Sequence, residues 1–449
     1  MHQGTIAFAG NQPAAGAPAP PRPRRAAVAS LVGTTIEWYD FYLYATASAM
    51  IFGPLFFSDV DPAAGVLASF ATYAAGFGAR PIGALVAGHF GDQVGRRTVL
   101  VASLLLMGVA TAAVGVLPTY PQAGLLAPAL LVVMRLVQGL AVGAEWGGAV
   151  LMSVEHSPDR RRGLFGSFPQ IGSPAGMLLA SAIFAGVRGS MDAQTFLAWG
   201  WRVPFLISLV LVGLGLAIRL GLDDPPVYQQ ARRLDEIPRR PVVEVLRTRR
   251  RNLWLTIGMR MSQNALYVLC TTFALTYLAH GGAADAGAGL TAVIIASAIG
   301  LVSTPLWAVV SDRVGRRPVY LAGAVGAAIF MIVFFLLLDT GSPPLIVLGM
   351  VVAVNVFHDA MYGPQAAWFS ELFATGVRYS GASIGYQFGS VLSGGTAPLI
   401  AAALLLVGRG GPWLIWGYFL LLSVITIVAT VLAPETHRVP IADQKGAPA

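Results

Sequence analysis

Long apolar stretches alternate with short polar stretches along this chain, and their lengths predict membrane helices. A helix needs about 20 predominantly apolar residues to span a membrane. Stretches of this kind cover 28–52, 66–89, 98–117, 125–152, 164–187 and 203–220, and then 253–278, 290–310, 319–338, 345–369, 382–407 and 412–432. The pattern predicts an all-α membrane protein with twelve transmembrane helices in two six-helix bundles.

The polar segments divide the chain into domains. Residues 1–27 are rich in Pro, Ala and Gly, and we expect a disordered cytoplasmic tail there rather than a cleaved signal peptide. The segment 222–251 is rich in Pro and Arg and contains no span-length apolar run. It is the expected cytoplasmic linker between an N-terminal bundle at 28–221 and a C-terminal bundle at 252–433. A second short cytoplasmic tail is expected at 434–449.

Two charged patterns recur at about half the chain length. Asp92, Gly95, Arg96 and Arg97 reappear 220 residues later as Asp312, Gly315, Arg316 and Arg317. A second pair, Glu155 and Arg162, is spaced seven residues apart, as are Glu371 and Arg378. Both patterns lie in polar loops between predicted spans. Such repeats suggest two related halves in parallel orientation, which is typical of membrane transporters.

The repeated loops have a possible gating role. A carboxylate near a helix end interacts with an N-terminal dipole or a nearby arginine, and such contacts form a latch that holds one state and breaks in the other. The alternative is a basic loop that only sets topology. We favour the latch, with these gating candidates: Asp92, Arg96, Arg97, Glu155, Arg162, Asp312, Arg313, Arg316, Glu371 and Arg378.

Composition excludes several classes of protein. The chain is 56% hydrophobic and 11% charged, whereas soluble domains carry about 25% charged residues. The net charge of +8 comes from arginines in short loops rather than one basic face, so we expect no nucleic-acid partner. The single cysteine, Cys270, excludes an internal disulfide and a cysteine metal cluster. The sequence has no GxxxxGK[ST] and no HExxH motif, which argues against an ATP-driven pump and a zinc protease. We expect no metal and no cofactor.

Basic residues predict the orientation in the membrane. If the N-terminus is cytoplasmic, most of the 29 Lys and Arg residues fall in inside segments, and only Arg188, Arg202 and Arg409 fall in outside segments. The positive-inside rule therefore places both termini in the cytoplasm.

Ionisable residues inside predicted spans mark a candidate pathway, because they are costly in a membrane. Glu37, Asp40 and Tyr44 follow i, i+3 and i+7 on the first span and share one helix face. Two carboxylates one turn apart are suited to taking up a proton on the outside and releasing it on the inside. The alternative is that both are ionised and paired with arginines only to hold the bundle together.

The fourth span carries Arg135, Gln138 and Glu145. Arg135 and Glu145 are about 15 Å apart along a helix, so each needs a partner on another helix or in a ligand. Gly139, Gly143 and Gly147 form a stripe that predicts close packing of a neighbouring helix. Arg80 in the second span has two possible partners, an anionic substrate or a carboxylate of the first span.

The second half carries fewer charges inside its spans. Arg260, Asn264 and Tyr267 follow i, i+4 and i+7 on the seventh span. The tenth span carries Asn355, His358, Asp359 and Tyr362 on one side, and Gly363-Pro364 predicts a helix break beside them. His358 next to Asp359 suggests either a proton relay or a structural contact. The substrate-binding candidates are Tyr44, Arg80, Arg135, Gln138, Arg260, Asn264, Tyr267, Asn355, His358, Asp359 and Tyr362. The proton-coupling candidates are Glu37, Asp40 and Glu145.

Several motifs carry a resemblance to a known family. The two repeated loops resemble the signatures of the major facilitator superfamily between spans two and three and between spans eight and nine. More specific segments are 37–42 (EWYDFY), 135–139 (RLVQG), 143–148 (GAEWGG), 201–205 (WRVPF) and 378–381 (RYSG). Together they resemble the metabolite:proton symporter family over residues 31–436, nearly the whole chain.

The resemblance implies two bundles that rock around a central site, with uptake driven by a proton gradient. Similar family members carry shikimate, 2-oxoglutarate, citrate, aromatic acids, or proline and betaine. Three departures from the family pattern concern the loops: Gln93 replaces a basic residue, Ala308 replaces a glycine, and Asp223-Asp224-Pro225-Pro226 replaces Glu-Ser-Pro.

We therefore expect a proton-coupled importer of a small metabolite, most simply an organic acid, in a prokaryotic inner membrane, working as a monomer in the lipid bilayer. An osmolyte symporter for proline or betaine is the alternative within the family. A proton-driven exporter of amphiphilic compounds should have a more aromatic cavity with fewer arginines, and a sensor should carry a signalling domain. An enzyme is disfavoured because His358-Asp359 lacks a nucleophile, and a channel because the sequence has no filter-like loop.

Overall fold

The computed structural model describes residues 23–57, 62–281 and 286–441, and this part of the chain is helical without a β-strand. Helices in the first half are α1 Pro23–Ala47, α2 Gly53–Phe56, α3 Pro62–Gln93, α4 Arg96–Val116, α5 Tyr120–Ala123, α6 Leu126–Val154, α7 Arg162–Gly189, α8 Ala193–Thr195 and α9 Arg202–Leu220. The segment that follows contains α10 Pro226–Arg233 and α11 Pro241–Thr248.

Helices in the second half are α12 Arg250–Val268, α13 Ala274–Gly281, α14 Ala286–Val314, α15 Arg316–Asp339, α16 Pro343–Val351, α17 Asp359–Glu371, α18 Arg378–Ser390, α19 Ala397–Val407 and α20 Trp413–Leu432. Single π-helical turns connect several of these helices, at Ser48–Phe52, Phe196–Gly200, Leu269–Phe273, Val352–His358 and Val391–Gly395. Short 3₁₀ turns at Asp159–Arg161 and Thr375–Val377 precede α7 and α18.

Within the described ranges, nine helical segments are long and apolar enough to cross a membrane. They are Arg96–Val116, Leu126–Val154, Asp159–Gly189, Arg202–Leu220, Ala288–Val314, Arg316–Asp339, Pro343–Glu371, Thr375–Val407 and Trp413–Leu432. These nine correspond to the third to sixth and the eighth to twelfth predicted spans. The first, second and seventh predicted spans are also helical, in α1, α3 and α12, but are not among the nine.

The structure describes the predicted linker and only part of the two predicted tails. Most of the N-terminal tail lies outside the described residues, and α1 already begins at Pro23. The linker contains α10 and α11, whose buried residues Tyr228, Ala231 and Val245 pack against the rest of the protein. Residues 442–449 of the C-terminal tail lie outside the described part, whereas the stretch up to Ile441 packs on the protein.

The two halves meet along several helix pairs, two of which are the most extensive. In the first half α1 packs on α7, and α6 packs on both α3 and α4; in the second half α12 packs on α18 and α20. Helix α7 of the first half then contacts α14 of the second, and α3 contacts α18. These two seams surround the space in which the candidate site lies.

The glycine stripe on α6 has the predicted packing role. A Cβ on Gly139 would come within 2.1 Å of the Gly76 carbonyl oxygen, and one on Gly143 within 2.1 Å of the Arg80 carbonyl oxygen. Only glycine therefore allows α3 to approach α6 this closely. The prediction of close helix packing is confirmed.

The two repeated loops share one backbone conformation. Gly95 has φ +128° and Gly315 has φ +118°, values that residues with a Cβ rarely adopt. Each glycine immediately precedes a helix, α4 or α15, whose first residue is an arginine. We call the end of the protein that carries both loops the arginine-rich end.

One local prediction was wrong. Gly363-Pro364 does not break the helix, because α17 continues from Asp359 to Glu371. Packing explains the difference: a Cβ on Gly363 would lie 2.5 Å from the Thr304 carbonyl oxygen, so α14 holds this turn in place. The irregular stretch is instead the π-helical turn Val352–His358, just before α17.

Candidate functional site

A cavity lies between the two halves and has an empty volume of about 510 Å³, which includes its open part. The first half contributes Trp38, Ser173 and Pro174 to its lining. The second half contributes six predicted site residues, Arg260, Asn264, Tyr267, His358, Asp359 and Tyr362. The predicted substrate residues of the seventh and tenth spans are thus brought together at one cavity.

Arg260 provides a fixed positive charge on the cavity wall. Its Nε donates to Ser390 Oγ at 3.1 Å, and its Nη1 donates to Gln365 Oε1 at 2.7 Å and to Gln263 Oε1. The guanidinium also lies over the ring of Tyr386, 3.7 Å from the ring centre. These contacts hold the guanidinium in one orientation, which favours recognition of a planar anionic group.

Asp359 provides a negative charge in the same cavity. His358 Nδ1 lies 2.9 Å from Asp359 Oδ1, while Ser303 Oγ and Asn355 Nδ2 donate to Asp359 Oδ2, the latter at 3.3 Å. Asn355 is therefore a supporting residue of the acidic site. The cavity presents both signs of charge, with Arg260 and Asp359 on different helices.

A tyrosine pair connects the two halves beside the cavity. The hydroxyl of Tyr42 on α1 lies 2.9 Å from the hydroxyl of Tyr267 on α12. Trp38 stacks on Tyr42 with ring centres 5.4 Å apart and also lines the cavity. The tyrosine pair must separate before the two halves move apart here.

A second cross-half contact lies between the cavity and the arginine-rich end. The rings of Trp146 on α6 and Tyr386 on α18 stack with centres 3.6 Å apart. Gln170 of the first half accepts a hydrogen bond from Trp146 Nε1 at 2.9 Å and donates one to the Tyr362 carbonyl at 3.1 Å. Trp146 therefore contacts the second half directly and is held in place by Gln170.

The predicted residues of the first half form a cluster of their own. Thr111 Oγ1 donates to Asp40 Oδ2 at 2.8 Å and accepts from Gln138 Nε2 at 2.8 Å, and Gln138 Oε1 accepts from Arg135 Nη1 at 2.9 Å. The Arg135 guanidinium lies 3.8 Å from the centre of the Tyr44 ring. The chain Asp40–Thr111–Gln138–Arg135 thus links a buried carboxylate to a buried cation across three helices.

Two buried carboxylate oxygens in this cluster make no hydrogen bond within the described part of the protein. They are Oε2 of Glu37 and Oδ1 of Asp40. Both side chains are at most 5% exposed. An ionised oxygen without a donor is costly to bury, so these carboxyl groups suit the uptake of a proton.

Glu145 is engaged differently from Glu37 and Asp40. It forms a buried ion pair with Arg219 of α9 and accepts a hydrogen bond from Ser103 Oγ at 2.8 Å. Of the two predicted alternatives, a partner on another helix or in a ligand, Glu145 thus has the first, whereas Arg135 hydrogen-bonds Gln138 on its own helix and contacts the Tyr44 ring of α1. Arg219 itself was missed, since it stands at the end of an apolar run and looked like a membrane-boundary residue. Arg80 lies over the Phe77 ring at 4.1 Å from its centre.

Glu155 lies at the centre of a buried ionic cluster at the arginine-rich end. Its Oε1 is 2.8 Å from Nη1 of Arg378 in the other half and 3.4 Å from Nη2 of Arg96 in its own half. Burial raises the pKa of Glu155, but the two guanidinium groups more than offset this and hold the pKa below its ordinary value. Glu155 is thus ionised at neutral pH.

The same cluster is repeated in the second half. Glu371 Oε1 lies 2.8 Å from Arg162 Nε of the first half and 3.2 Å from Arg316 Nη2 of its own half. Each glutamate therefore contacts the arginine that follows the other glutamate in sequence. The glutamate and arginine that are seven residues apart in each half therefore pair with the arginine and glutamate of the other half.

The loop aspartates contact helix starts in the opposite half. Asp92 accepts from the backbone N–H groups of Tyr379 and Ser380 at the start of α18, at 3.2 and 3.0 Å. Asp312 accepts from the N–H groups of Gly163 and Leu164 at the start of α7, at 2.8 and 2.9 Å. Helix N-termini favour such carboxylates. The arginine-rich end is therefore closed by contacts in two equivalent places.

Two gating candidates lie outside this cluster. Arg97 donates its backbone N–H to Asp224 and its guanidinium to the Leu220 carbonyl, both in its own half. Arg313 is exposed to solvent. Arg96 and Arg316, by contrast, are buried at the arginine-rich end.

Two acidic residues that support the loops were missed at the sequence level. Asp224 Oδ1 accepts from the Arg97 N–H at 2.9 Å, and Glu435 accepts from the N–H groups of Arg316 and Arg317 at 3.0 and 2.9 Å. Burial raises the pKa of Glu435, but these backbone donors more than offset the effect and lower it. The sequence signal for both residues was their position, because each acid follows the last span of its half.

Residues 436–441 lie across the arginine-rich end. Arg162 Nη2 donates to the carbonyls of Thr436, His437 and Val439, and Arg378 Nη2 donates to the Ile441 carbonyl at 2.9 Å. The described residues contain no group of three His, Cys, Asp or Glu side chains that could hold a metal ion.

Comparison with known proteins places these features in context. A family model described as sugar (and other) transporter matches residues 25–244 and 239–445. The shikimate transporter of Escherichia coli K12 is 36% identical over 419 residues, covering 93% of this chain and 96% of that protein. The inner membrane metabolite transport protein YhjE of the same organism is 38% identical over 419 residues, covering 92% and 94%. The proline/betaine transporter of E. coli K12 is 32% identical over 429 residues, covering 93% and 85%.

A solved structure supports the fold. The proton:xylose symporter XylE, bound to 6-bromo-6-deoxy-D-glucose, superposes with a TM-score of 0.73 over 92% of this chain and 96% of its own. Its sequence identity is 17%, so the likeness concerns the fold alone.

Proposed function

Because this chain belongs to the sugar (and other) transporter family of the major facilitator superfamily, we propose that it is a proton-coupled symporter that takes up a small organic acid by alternating access. The chain is a multi-pass inner-membrane transporter and not an enzyme. The observation that carries the finer proposal is a cavity lined by Arg260 and Asp359 in a protein whose first half buries two carboxylates, Glu37 and Asp40, each with one oxygen that lacks a hydrogen-bond donor among the described residues.

The proposed architecture has twelve membrane helices, with bundles at 28–221 and 252–433, a linker at 222–251 and both termini in the cytoplasm. The nine membrane-capable segments and the three further helices α1, α3 and α12 together make twelve. The distribution of Lys and Arg supports the orientation, because the arginine-rich end then faces the cytoplasm. A single chain encloses the cavity, so a monomer suffices for transport.

The proposed state follows from this orientation. Contacts from Glu155, Glu371, Asp92 and Asp312 close the cytoplasmic end, so substrate would reach the cavity from the opposite side. Opening to the cytoplasm requires all of these contacts to break together. They therefore act as the latch between the two states.

Proton coupling is assigned to Glu37 and Asp40. Each has a buried oxygen without a hydrogen-bond donor in the described part of the protein. Protonation of Asp40 changes the charge that the Arg135 cluster experiences, which links proton uptake to helix movement. Glu145 is omitted from this role because its carboxylate is already neutralised by Arg219.

The proposed substrate class follows from the charges of the cavity. The fixed guanidinium of Arg260 suits a carboxylate, and Gln263, Asn264 and Ser297 suit hydroxyl groups on the same molecule. The relatives named for shikimate and metabolite transport agree with this chemistry. A zwitterionic osmolyte is the second candidate, because Asp359 could hold its cationic group and because one relative is named for proline and betaine.

A thermal-shift screen tests the substrate class. The detergent-solubilised protein is heated with organic acids, betaines or amino acids at two pH values, since a ligand of the folded state raises the apparent Tm. We expect shifts with hydroxylated carboxylates, and the Arg260→Gln variant should lose them. Shifts only with betaines or proline would favour the osmolyte alternative. Shifts only with hydrophobic cations would contradict the proposal and indicate an exporter.

A further inference from the structure

The corner between α11 and α12 carries an unusual density of positive charge. Residues 239–254 contain six arginines, Arg239, Arg240, Arg247, Arg249, Arg250 and Arg251, and a single acidic residue, Glu244. The Glu244 carboxylate already accepts a hydrogen bond from the Thr248 hydroxyl at 2.8 Å. Within the described ranges no carboxylate pairs with Arg247 or Arg250, and both side chains are exposed. The charge of this corner is therefore directed outward.

Apolar side chains are exposed beside these arginines. Trp254 is 66% exposed on the first turns of α12, four residues after Arg250 and thus on the same helix face. On α11, Leu246 is 49% exposed next to Arg247. An exposed tryptophan beside arginines at the start of a membrane helix is the arrangement found at the level of lipid headgroups. A soluble acidic partner would account for the arginines but not for the exposed Trp254 and Leu246.

We propose that the α11–α12 corner is a docking surface for acidic phospholipid headgroups, with Arg247 and Arg250 contacting the phosphate and Trp254 packing on the acyl-chain boundary. Arginines near an anionic bilayer each contribute about 1 kcal/mol of attraction. The proposal rests on α12 being a membrane helix and is independent of which substrate the protein carries.

Lipid docking at this corner has a consequence for the gate, because the linker contacts both halves there. Gln93 of α3 donates its side-chain N–H to the Arg239 carbonyl, in the loop where the family pattern has a basic residue. On the other side, Val245 of α11 packs in the core of the second half, and the Glu236 carbonyl lies against Gly376, just before Arg378. A lipid that holds α11 in this position favours the closed arginine-rich end.

Binding is tested with lipid titration and native mass spectrometry of the full chain. Phosphatidylglycerol is compared with phosphatidylcholine of the same acyl chains, for the wild type, Arg247→Gln/Arg250→Gln and the matched control Arg160→Gln/Arg161→Gln. The control removes two exposed arginines from the same end of the protein. We expect Arg247→Gln/Arg250→Gln to need roughly 10- to 30-fold more phosphatidylglycerol for equal occupancy, with phosphatidylcholine binding unchanged. Equal losses in both double variants, or none in either, would overturn the proposal.

Brominated lipids test the placement of Trp254. Fluorescence quenching by brominated phosphatidylglycerol should exceed that by brominated phosphatidylcholine, and the excess should vanish in Trp254→Phe. Inorganic phosphate in large excess should leave this difference intact, since it has no acyl chains to pack on the indole. Loss of the difference on adding phosphate would show that the corner binds free anions, and an excess that persists in Trp254→Phe would show that the lipid lies elsewhere.

Coupling to the gate is tested by spin labels at Arg160→Cys and Arg313→Cys, one in each half at the arginine-rich end. In nanodiscs the short-distance population should rise when phosphatidylglycerol replaces part of the phosphatidylcholine. Arg247→Gln/Arg250→Gln should abolish this rise. A rise of the same size in that variant would show that acidic lipid acts on the gate through another surface.

Discussion

The carboxylate of Glu155 lies 2.8 Å from the guanidinium of Arg378, and the two residues belong to different halves of the chain. The equivalent contact joins Arg162 to Glu371 at the same distance. Both pairs are fully buried, so neither is a screened surface contact. Two equivalent buried ion pairs thus hold the two halves together at one end.

Removing the charge of Glu155 should open the arginine-rich end. Glu155→Gln leaves Arg378 buried without its anion, and breaking a buried pair typically costs about 3–5 kcal/mol. The closed population, measured by spin-label distances across the gate, should fall by about two orders of magnitude relative to the open one. Arg233→Gln, an exposed substitution in α10, is the control and should change little. A closed population in Glu155→Gln equal to that of wild type would contradict the latch.

The contribution of Glu155 to closure should be insensitive to pH near neutrality. Because the pKa of Glu155 is lowered in the folded protein, its stabilising contribution is fully present above its unfolded pKa of about 4.3 and is lost as pH falls through the lower folded value. The loss of closure caused by Glu155→Gln, measured in a Glu37→Gln/Asp40→Asn background where those carboxyls no longer titrate, should be constant from about pH 6 to about pH 8. A loss that varies within that range would show that another titrating group controls the latch.

Proton coupling should be separable from substrate movement. Asp40→Asn keeps the hydrogen-bonding shape of the side chain but removes its titration, so uptake against a gradient should be lost. Exchange of labelled for unlabelled substrate needs no net proton transfer and should persist. Asp235→Asn, an exposed substitution in the linker, serves as the control. If Asp40→Asn still accumulates substrate under a proton gradient, Asp40 does not carry the proton, and Glu37→Gln is the next variant to measure.

The cavity arginine should determine affinity for acids. Arg260→Lys keeps the charge but loses the planar contacts with Tyr386 and Gln365, so the Kd for a carboxylate substrate should rise by about tenfold or more. Calorimetric titration measures this directly. Arg409→Gln, an exposed residue at the other end of the protein, should have no effect. An unchanged Kd in Arg260→Lys would remove Arg260 from the binding site.

The tyrosine pair should slow access to the cavity. Tyr267→Phe removes the 2.9 Å contact with Tyr42, and one hydrogen bond of this kind corresponds to about a two- to tenfold change in opening. Stopped-flow fluorescence should therefore record faster substrate binding. Tyr277→Phe loses a hydroxyl contact with Asp339 away from the cavity and should leave the rate unchanged. Equal rates in wild type and Tyr267→Phe would show that the pair does not limit entry.

The sequence was most informative where physical constraints act locally. Hydrophobic length located the helices, and the glycine stripe at Gly139 and Gly143 predicted a close helix contact that the structure contains. The repeated loops identified the residues of the gate, because a buried charge in a short motif needs a partner. In these cases the signal and its structural cause lie within a few residues of each other.

Partners that are distant in sequence were beyond such reasoning. The repeat identified Glu155, Arg162, Glu371 and Arg378 but could not show that the pairs exchange partners between the halves. Arg219 was overlooked because a basic residue at the end of a span is ordinarily a boundary residue, and Glu435 because it lies in a segment that resembles a tail. The helix break predicted at Gly363-Pro364 is absent because packing against α14 overrides the local tendency to break the helix.

Uptake into proteoliposomes tests the central claim most directly. The purified protein is reconstituted with labelled organic acids, betaines or proline outside, and an inward proton gradient is imposed and then collapsed with an uncoupler. The account predicts accumulation of a carboxylate that requires the gradient, stops with the uncoupler and is absent in Asp40→Asn. Uptake of no candidate acid under the gradient, or uptake of equal extent with and without it, would contradict the claim that this protein is a proton-coupled organic acid symporter.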